Sequence, residues 1–451
     1  MADSAAPAQS KDEPEKPLSV QRQPPFLVSI FRFQETIDAI RQLHDEVCGH
    51  AAELDRQRVS PEELSAVKSL DPERREKFKH WIEANFDATG AEGATDVEEP
   101  ETQDVQPSES DEITLQEIFG DNQVAIGQAE LMLNRAMLTP SREMLLRSSL
   151  LTMAVSAFEV LLGGLAARHY ELHPGNIGTE KRFSLPELSR FDSLEKVQDA
   201  AIAHRVYQLL QAPLDEWVKW LDQSSGLGVK LKNLAINYNE LGEIIQRRHV
   251  IVHNGGAVSA QYLDRVQMDG DMPVIGVRLA VNEKYLETAL DHLDSLGNLV
   301  GVGVWAKERP EAENEAISVL SNRMEELLFE GRWLPLRQIC FFGEKIASFD
   351  SQRQIFKVNK WLSIKRLEGL DSIGEEIRDE WDTSALGSQF QLVQLALLDE
   401  ADAFFAAAPP IYRDGGIGLE PLNSWPVFEE LRRDTRFAEL FPADENANEI
   451  G

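Results

Sequence analysis

The sequence predicts an all-α protein: a helical bundle followed by a further α-helical, possibly repeat-like, domain. Three observations carry this expectation. Apolar residues recur at helical spacing through most of the chain. Helix start and stop signals recur along it. Strand signals are few. The 451 residues are 42% hydrophobic and 27% charged, which is enough for at least one sizeable core and for roughly two to three domains.

Residues 1–24 are polar and Pro-rich and read as a disordered tail without the apolar core of a secretory signal. A helical N-terminal segment is expected over 25–86. "FLVSIFRF" reads as a short strand or the start of a helix. Ile37, Ile40, Leu43, Val47 and Ala51 then follow helical spacing, and Ser60-Pro61-Glu62-Glu63 is a helix start. Residues 87–114 are rich in acids, Gly, Pro, Ser and Thr and contain no Lys or Arg. They read as an acidic disordered linker.

A bundle of about five helices is expected over 115–308. Its strongest core candidate is "SREMLLRSSLLTMAVSAFEVLLGGLAARHYEL", with an apolar stripe of Leu145, Met153, Phe158, Leu161, Leu162 and Leu165. Residues 309–441 are again helical. Glu-Gly or Glu-Ala steps at 330, 368 and 400 scatter around the ~34-residue period of helix-pair repeats, although the tetratricopeptide pattern is absent. An ordinary helical domain is the competing reading. Residues 442–451 read as an acidic tail.

The formal net charge is −32, which repels nucleic acid at long range. Nucleic-acid chemistry would need a local basic site, and a DNA-coating role is disfavoured. No run approaches the roughly 20 apolar residues that span a bilayer, so no membrane is expected. Two cysteines, Cys48 and Cys340, argue against a disulfide framework and fit a cytoplasmic location. No P-loop, dinucleotide fingerprint or G-x-S-x-G elbow is present, and no cofactor is expected.

One stretch concentrates unusual residues: "IIQRRHVIVHNGG", Ile244 to Gly256. As a hairpin, it would turn at Asn-Gly between β-branched residues. As a helix, it would bury Leu241, Ile244, Ile245, Val252 and the stem of Arg248, and stop at Asn254-Gly255-Gly256. An imidazole exchanges protons near neutral pH, and a guanidinium fork suits phosphate oxygens. Arg248 and His253 are thus the minimum equipment for metal-free RNA cleavage. Five residues apart, they are separated by roughly 140° on a helix, so a complete site would need two copies facing each other.

Arg248-His249-Val250-Ile251-Val252-His253 resembles the R-x4-H motif of the HEPN superfamily of small helical bundles, with His249 in the slot for a polar residue. "SAFEVLLGGL" is similar to an earlier helix of such bundles, with Glu159 where an acidic partner sits. The resemblance covers about residues 115–308. It implies a dimeric, metal-independent endoribonuclease leaving a 2′,3′-cyclic phosphate, often a bacterial toxin or an anti-phage defence effector. It assigns Arg248 to phosphate, His253 to acid–base work, and His249 to polarising or positioning. Arg247 reads as a solvated charge or a dimer salt-bridge partner, and Asn254 as part of the helix stop. Some HEPN members only bind, so a non-catalytic dimerisation and interaction scaffold is the alternative. A protein partner on the C-terminal domain fits either reading. His249/His253 and His169/His173 are both spaced i, i+4. Neither forms H-E-x-x-H and no Cys lies near, so no metal is expected.

Overall fold

The computed structural model describes residues 24–56, 65–85, 114–178, 183–222, 236–267, 270 and 272–441. The tail at 1–23, the helix start at Ser60, nearly all of the acidic segment and the residues after 441 lie outside this set. Helices account for most of the described residues, which contain one isolated β-bridge, Ala257 to Arg278. The protein is all-α, as its periodicity predicts.

Helix α1 (Pro25–Arg56) is a single 32-residue element, so "FLVSIFRF" is its first two turns and not a strand. Its buried stripe is Phe26, Ile30, Phe33, Ile37 and Ile40, followed by Cys48 and Ala51. Leu43 and Val47, expected inside, are 43% and 38% exposed. They fall beside the stripe set by the first two turns. Helices α2 (Ser65–Lys68), α3 (Pro72–Asn85), α4 (Leu115–Phe119) and α5 (Gln123–Leu138) share a small core of their own. In it Phe78 meets Phe119 edge to face at 5.2 Å. The helices on either side of the acidic segment therefore pack on each other.

Helix α6 (Arg142–Leu172) is the centre of the bundle. Ser141 caps it, its hydroxyl accepting from Met144 N at 3.0 Å. Leu151, Ala154, Val155, Phe158, Leu162 and Leu165 are fully or nearly fully buried, whereas Leu145 and Met153 are about half exposed. The buried face is thus rotated from the expected stripe. Contrary to the expectation for the sequence, one window of α6 is long and apolar enough to cross a membrane by length and composition. Half of that window is buried inside the structure, where α1, α8 and α12 cover it.

Short α7 (Leu185–Leu188), α8 (Leu194–Gln211) and α9 (Leu214–Trp220) lead to α10 (Tyr238–Asn254), α11 (Ala260–Arg265) and α12 (Glu283–Glu308). Helix α12 is buried almost throughout, from Leu293 to Trp305. Its Gly-rich run lets α1 come close. A Cβ on Gly297 would lie 2.1 Å from the Phe33 ring, and one on Gly301 2.7 Å from Ile30. A polar seam ties the same helices. Arg323 of α13 (Glu313–Phe329) donates to Asp38 at 2.7 Å and to Asp294 at 2.7 Å. Gln34 donates to Asn298 at 2.6 Å.

The chain continues through α14 (Trp333–Ile346), α15 (Asp350–Glu368), α16 (Gly374–Glu380), α17 (Ser388–Leu397), α18 (Ala401–Arg413), α19 (Leu419–Ser424), α20 (Glu429–Arg432) and α21 (Thr435–Leu440). The steps at 330, 368 and 400 do fall at helix junctions. Helix lengths after α15 are unequal, so the spacing does not translate into equal helix pairs. One continuous apolar core runs from α1 to the last helix.

Candidate functional site

Helix α10 carries the motif. Asn237 starts it, with Oδ1 accepting from Asn239 N at 3.1 Å and Glu240 N at 3.3 Å. Gly255 stops it in the left-handed conformation at φ 59°, and Gly256 N returns to Val250 O at 3.1 Å. A left-handed helix end favours glycine at this position. Asn254, the last helical residue, donates from Nδ2 to Ala257 O at 2.5 Å. The helix reading of this stretch is the one the chain adopts. The chain then runs on into the Ala257–Arg278 bridge, with Val258 N donating to Val277 O at 2.9 Å. Leu241, Ile244 and Val250 face the core, and Val252 is half exposed where burial was expected.

The two arginines have different environments. Arg247 is buried, contrary to its reading as a solvated or dimer-facing charge. Its Nε donates to Glu243 at 2.7 Å, its Nη1 donates to Ala280 O at 2.5 Å, and it lies 3.9 Å over the Tyr285 ring. Glu243 also accepts from Tyr262 and Tyr285, each at 2.6 Å. This buried cluster locks α10 to α11 and α12. It was not visible in the sequence because Tyr262 and Tyr285 lie 19 and 42 residues further on. Arg248 is half-buried and donates from Nη2 to Glu159 of α6. Its buried Nε has no partner among the described residues, so donors of the guanidinium fork remain unused.

His253 is exposed at the end of α10, and His249 is half-buried one turn earlier. Their rings are 4.6 Å apart and tilted by 47°. Burial lowers the pKa of His249, and the positive neighbours His253, Arg248 and Arg265 lower it further. His249 is therefore a neutral acceptor at neutral pH. The structure brings Glu159, Arg248, His249 and His253 to one end of α10, with Arg248 turned toward α6 and His253 toward solvent. Arg247 and Glu243 hold the helix from behind. A groove of about 950 Å³ runs between α1 and α6, lined by Phe31, Met153, Ser156, Ala157 and Val160 among others. Val160, next to Glu159 in the chain, is 74% exposed.

The imidazoles of α10 have no third metal-ligating group beside them among the described residues, whereas the other pair does: His169 and His173 converge on Glu308. The sequence singled out that pair but not its carboxylate partner 135 residues later. No protein-family model matches this chain, no curated protein matches its sequence, and no solved structure matches its fold.

Proposed function

We infer that the protein is a metal-independent endoribonuclease that works as a dimer, in the manner of a toxin or anti-phage effector. The observation that supports this most is the grouping at the end of α10. An exposed imidazole lies against a second, neutral one at a tilt, beside a guanidinium held by a carboxylate. His253 takes the 2′-hydroxyl proton of the RNA. The 2′ oxygen bonds to phosphorus and the P–O5′ bond breaks. The 5′ oxygen leaves with a proton from the imidazole contributed by a second copy, and a 2′,3′-cyclic phosphate remains. Arg248 stabilises the charge that develops on the phosphate, and His249 positions His253.

The need for two copies follows from the directions of the side chains, because Arg248 faces α6 while His253 faces away from it. The α1–α6 groove offers an apolar docking surface one residue from Glu159. With a net charge of −32, capture of RNA falls to local basic groups such as Arg248.

The test is cleavage of labelled RNA in EDTA by wild type and His253→Ala. The wild type should cleave, leave a cyclic phosphate and need no metal. The variant should lose at least a hundredfold, the lower range for a removed acid–base group. Equal cleavage by both proteins, or cleavage by neither, would reject the reading. In the latter case the interaction scaffold stands, with the same groove as its contact surface.

A further inference from the structure

We propose that His169, His173 and Glu308 form a binding site for a divalent transition-metal ion of the zinc type. This site is separate from the α10 motif and does not rest on the ribonuclease reading. His169 sits in the last turn of α6, His173 caps that helix, and Glu308 is the final residue of α12. His169 Nδ1 is 2.8 Å from one Glu308 oxygen and His173 Nε2 is 2.6 Å from the other. All three donor atoms lie within 4.8 Å of one another. Two imidazole nitrogens and a carboxylate oxygen are a donor set that suits zinc, with a fourth position left for water.

Around a tetrahedral ion at 2.0–2.1 Å, neighbouring donor atoms sit about 3.3 Å apart. The two present contacts, made to different Glu308 oxygens, would have to open by about 0.5 and 0.7 Å, and donor pairs wider than about 3.3 Å would have to close. The burial pattern allows it. The side chains of His169 and Glu308 are 1% and 4% exposed and form a buried floor, while His173, on its rim, is 48% exposed. An ion would enter from the His173 side.

Three further features point the same way. His169 Nε2, on the far side of the ring, lies 3.2 Å from Asn176 Nδ2. When Nδ1 binds the ion, Nε2 carries the proton, and a turned Asn176 amide accepts it through its oxygen. This outer hydrogen bond is the one that orients metal-bound histidines. Trp220 and Tyr170 pack edge-on against His169, with centroids at 5.8 and 5.4 Å, and shield the floor from water. Finally, α6 and α12 both end here, so the negative ends of two helix dipoles converge where a cation would lie.

The experiment uses tag-free protein stripped with EDTA and dialysed. Zinc is titrated by calorimetry and bound zinc is counted by mass spectrometry. Wild type should bind one zinc per chain and melt at a higher temperature with zinc than without. His173→Ala, an exposed change that leaves the floor in place, should weaken binding by at least tenfold. Asn176→Ala should weaken it less while keeping the stoichiometry at one. His253→Ala should bind as wild type does, which assigns the ion to this cluster and not to α10. Absence of saturable binding, or binding unaffected by His173→Ala, would overturn the proposal. RNA cleavage in EDTA is read separately, so failure of either proposal leaves the other standing.

Discussion

Arg247 and Arg248 are neighbours in the chain and do different work. Arg247 is held in a buried polar cluster, and Arg248, half-buried, reaches Glu159 of α6 while its buried Nε has no partner among the described residues. The motif was legible in the sequence because its residues are local. The fate of each arginine was not, because the residues that decide it lie on other helices. His249 offers a test at this scale. Burial and positive neighbours hold it below the usual imidazole value of 6.5. In the window just below 6.5 the unfolded chain therefore binds more protons at this position than the folded one. Stability falls as pH drops through that window and is restored above it. His249→Asn removes this contribution. Between pH 7 and pH 5 the variant should lose less melting temperature than wild type. An equal loss in both would show that the charge of His249 is not felt by the fold.

Among the elements, α12 shows what patterning alone conceals. Its "GNLVGVGVW" run has no polar face and lacks the residues of a phosphate loop. Its glycines are explained by α1, whose Phe33 and Ile30 press on Gly297 and Gly301. A contact between residues so far apart leaves no trace in local spacing. Adding a methyl to a helical glycine ordinarily gains up to about 1 kcal/mol. At Gly297 the overlap with Phe33 should outweigh that gain and cost about 1–3 kcal/mol net, the range for overpacked cores. Gly127 of α5 has nothing within 4 Å of the added Cβ. Gly127→Ala should therefore be neutral or stabilising. Urea denaturation of the two variants would show opposite shifts of the midpoint, and a stabilised Gly297→Ala would refute the packing argument. The apolar stripes of α1 and α6 were legible in period but were displaced on the helix surface. Leu43, Leu145 and Met153 lie outside the core because the stripe is set by what each helix meets, not by hydrophobicity alone.

At the scale of the molecule, the all-α class was legible because helical periodicity is written in every segment. That the core of α1, α6 and α12 continues into the helices after α13, while α2–α5 keep a core of their own, was not, because it depends on long-range contacts. The molecule also presents an apolar groove between α1 and α6, whose lining residue Val160 follows Glu159 in the chain. If a second copy docks there, a charge in the groove should disrupt the pair. Val160→Asp should shift the protein from dimer to monomer in light scattering and remove RNA cleavage, although every residue of the α10 motif is intact. His253→Ala should remain a dimer. A monomeric wild type would reject the dimer, and a dimer unaffected by Val160→Asp would place its interface elsewhere.

The seam in which Arg323 grips Asp38 joins residues 285 positions apart, and this has a consequence in time. At about 5–20 residues per second of synthesis, α1 leaves the ribosome roughly 15 to 60 s before α13. Until then Ile30 and Phe33 have no α12 to cover them, and Asp38 has no guanidinium. Helix α1 can meet α6 early but waits for α12 and α13 to complete its surroundings. A nascent chain halted before α12 would display the apolar stripe of α1 only partly covered, which is the kind of surface that chaperones hold.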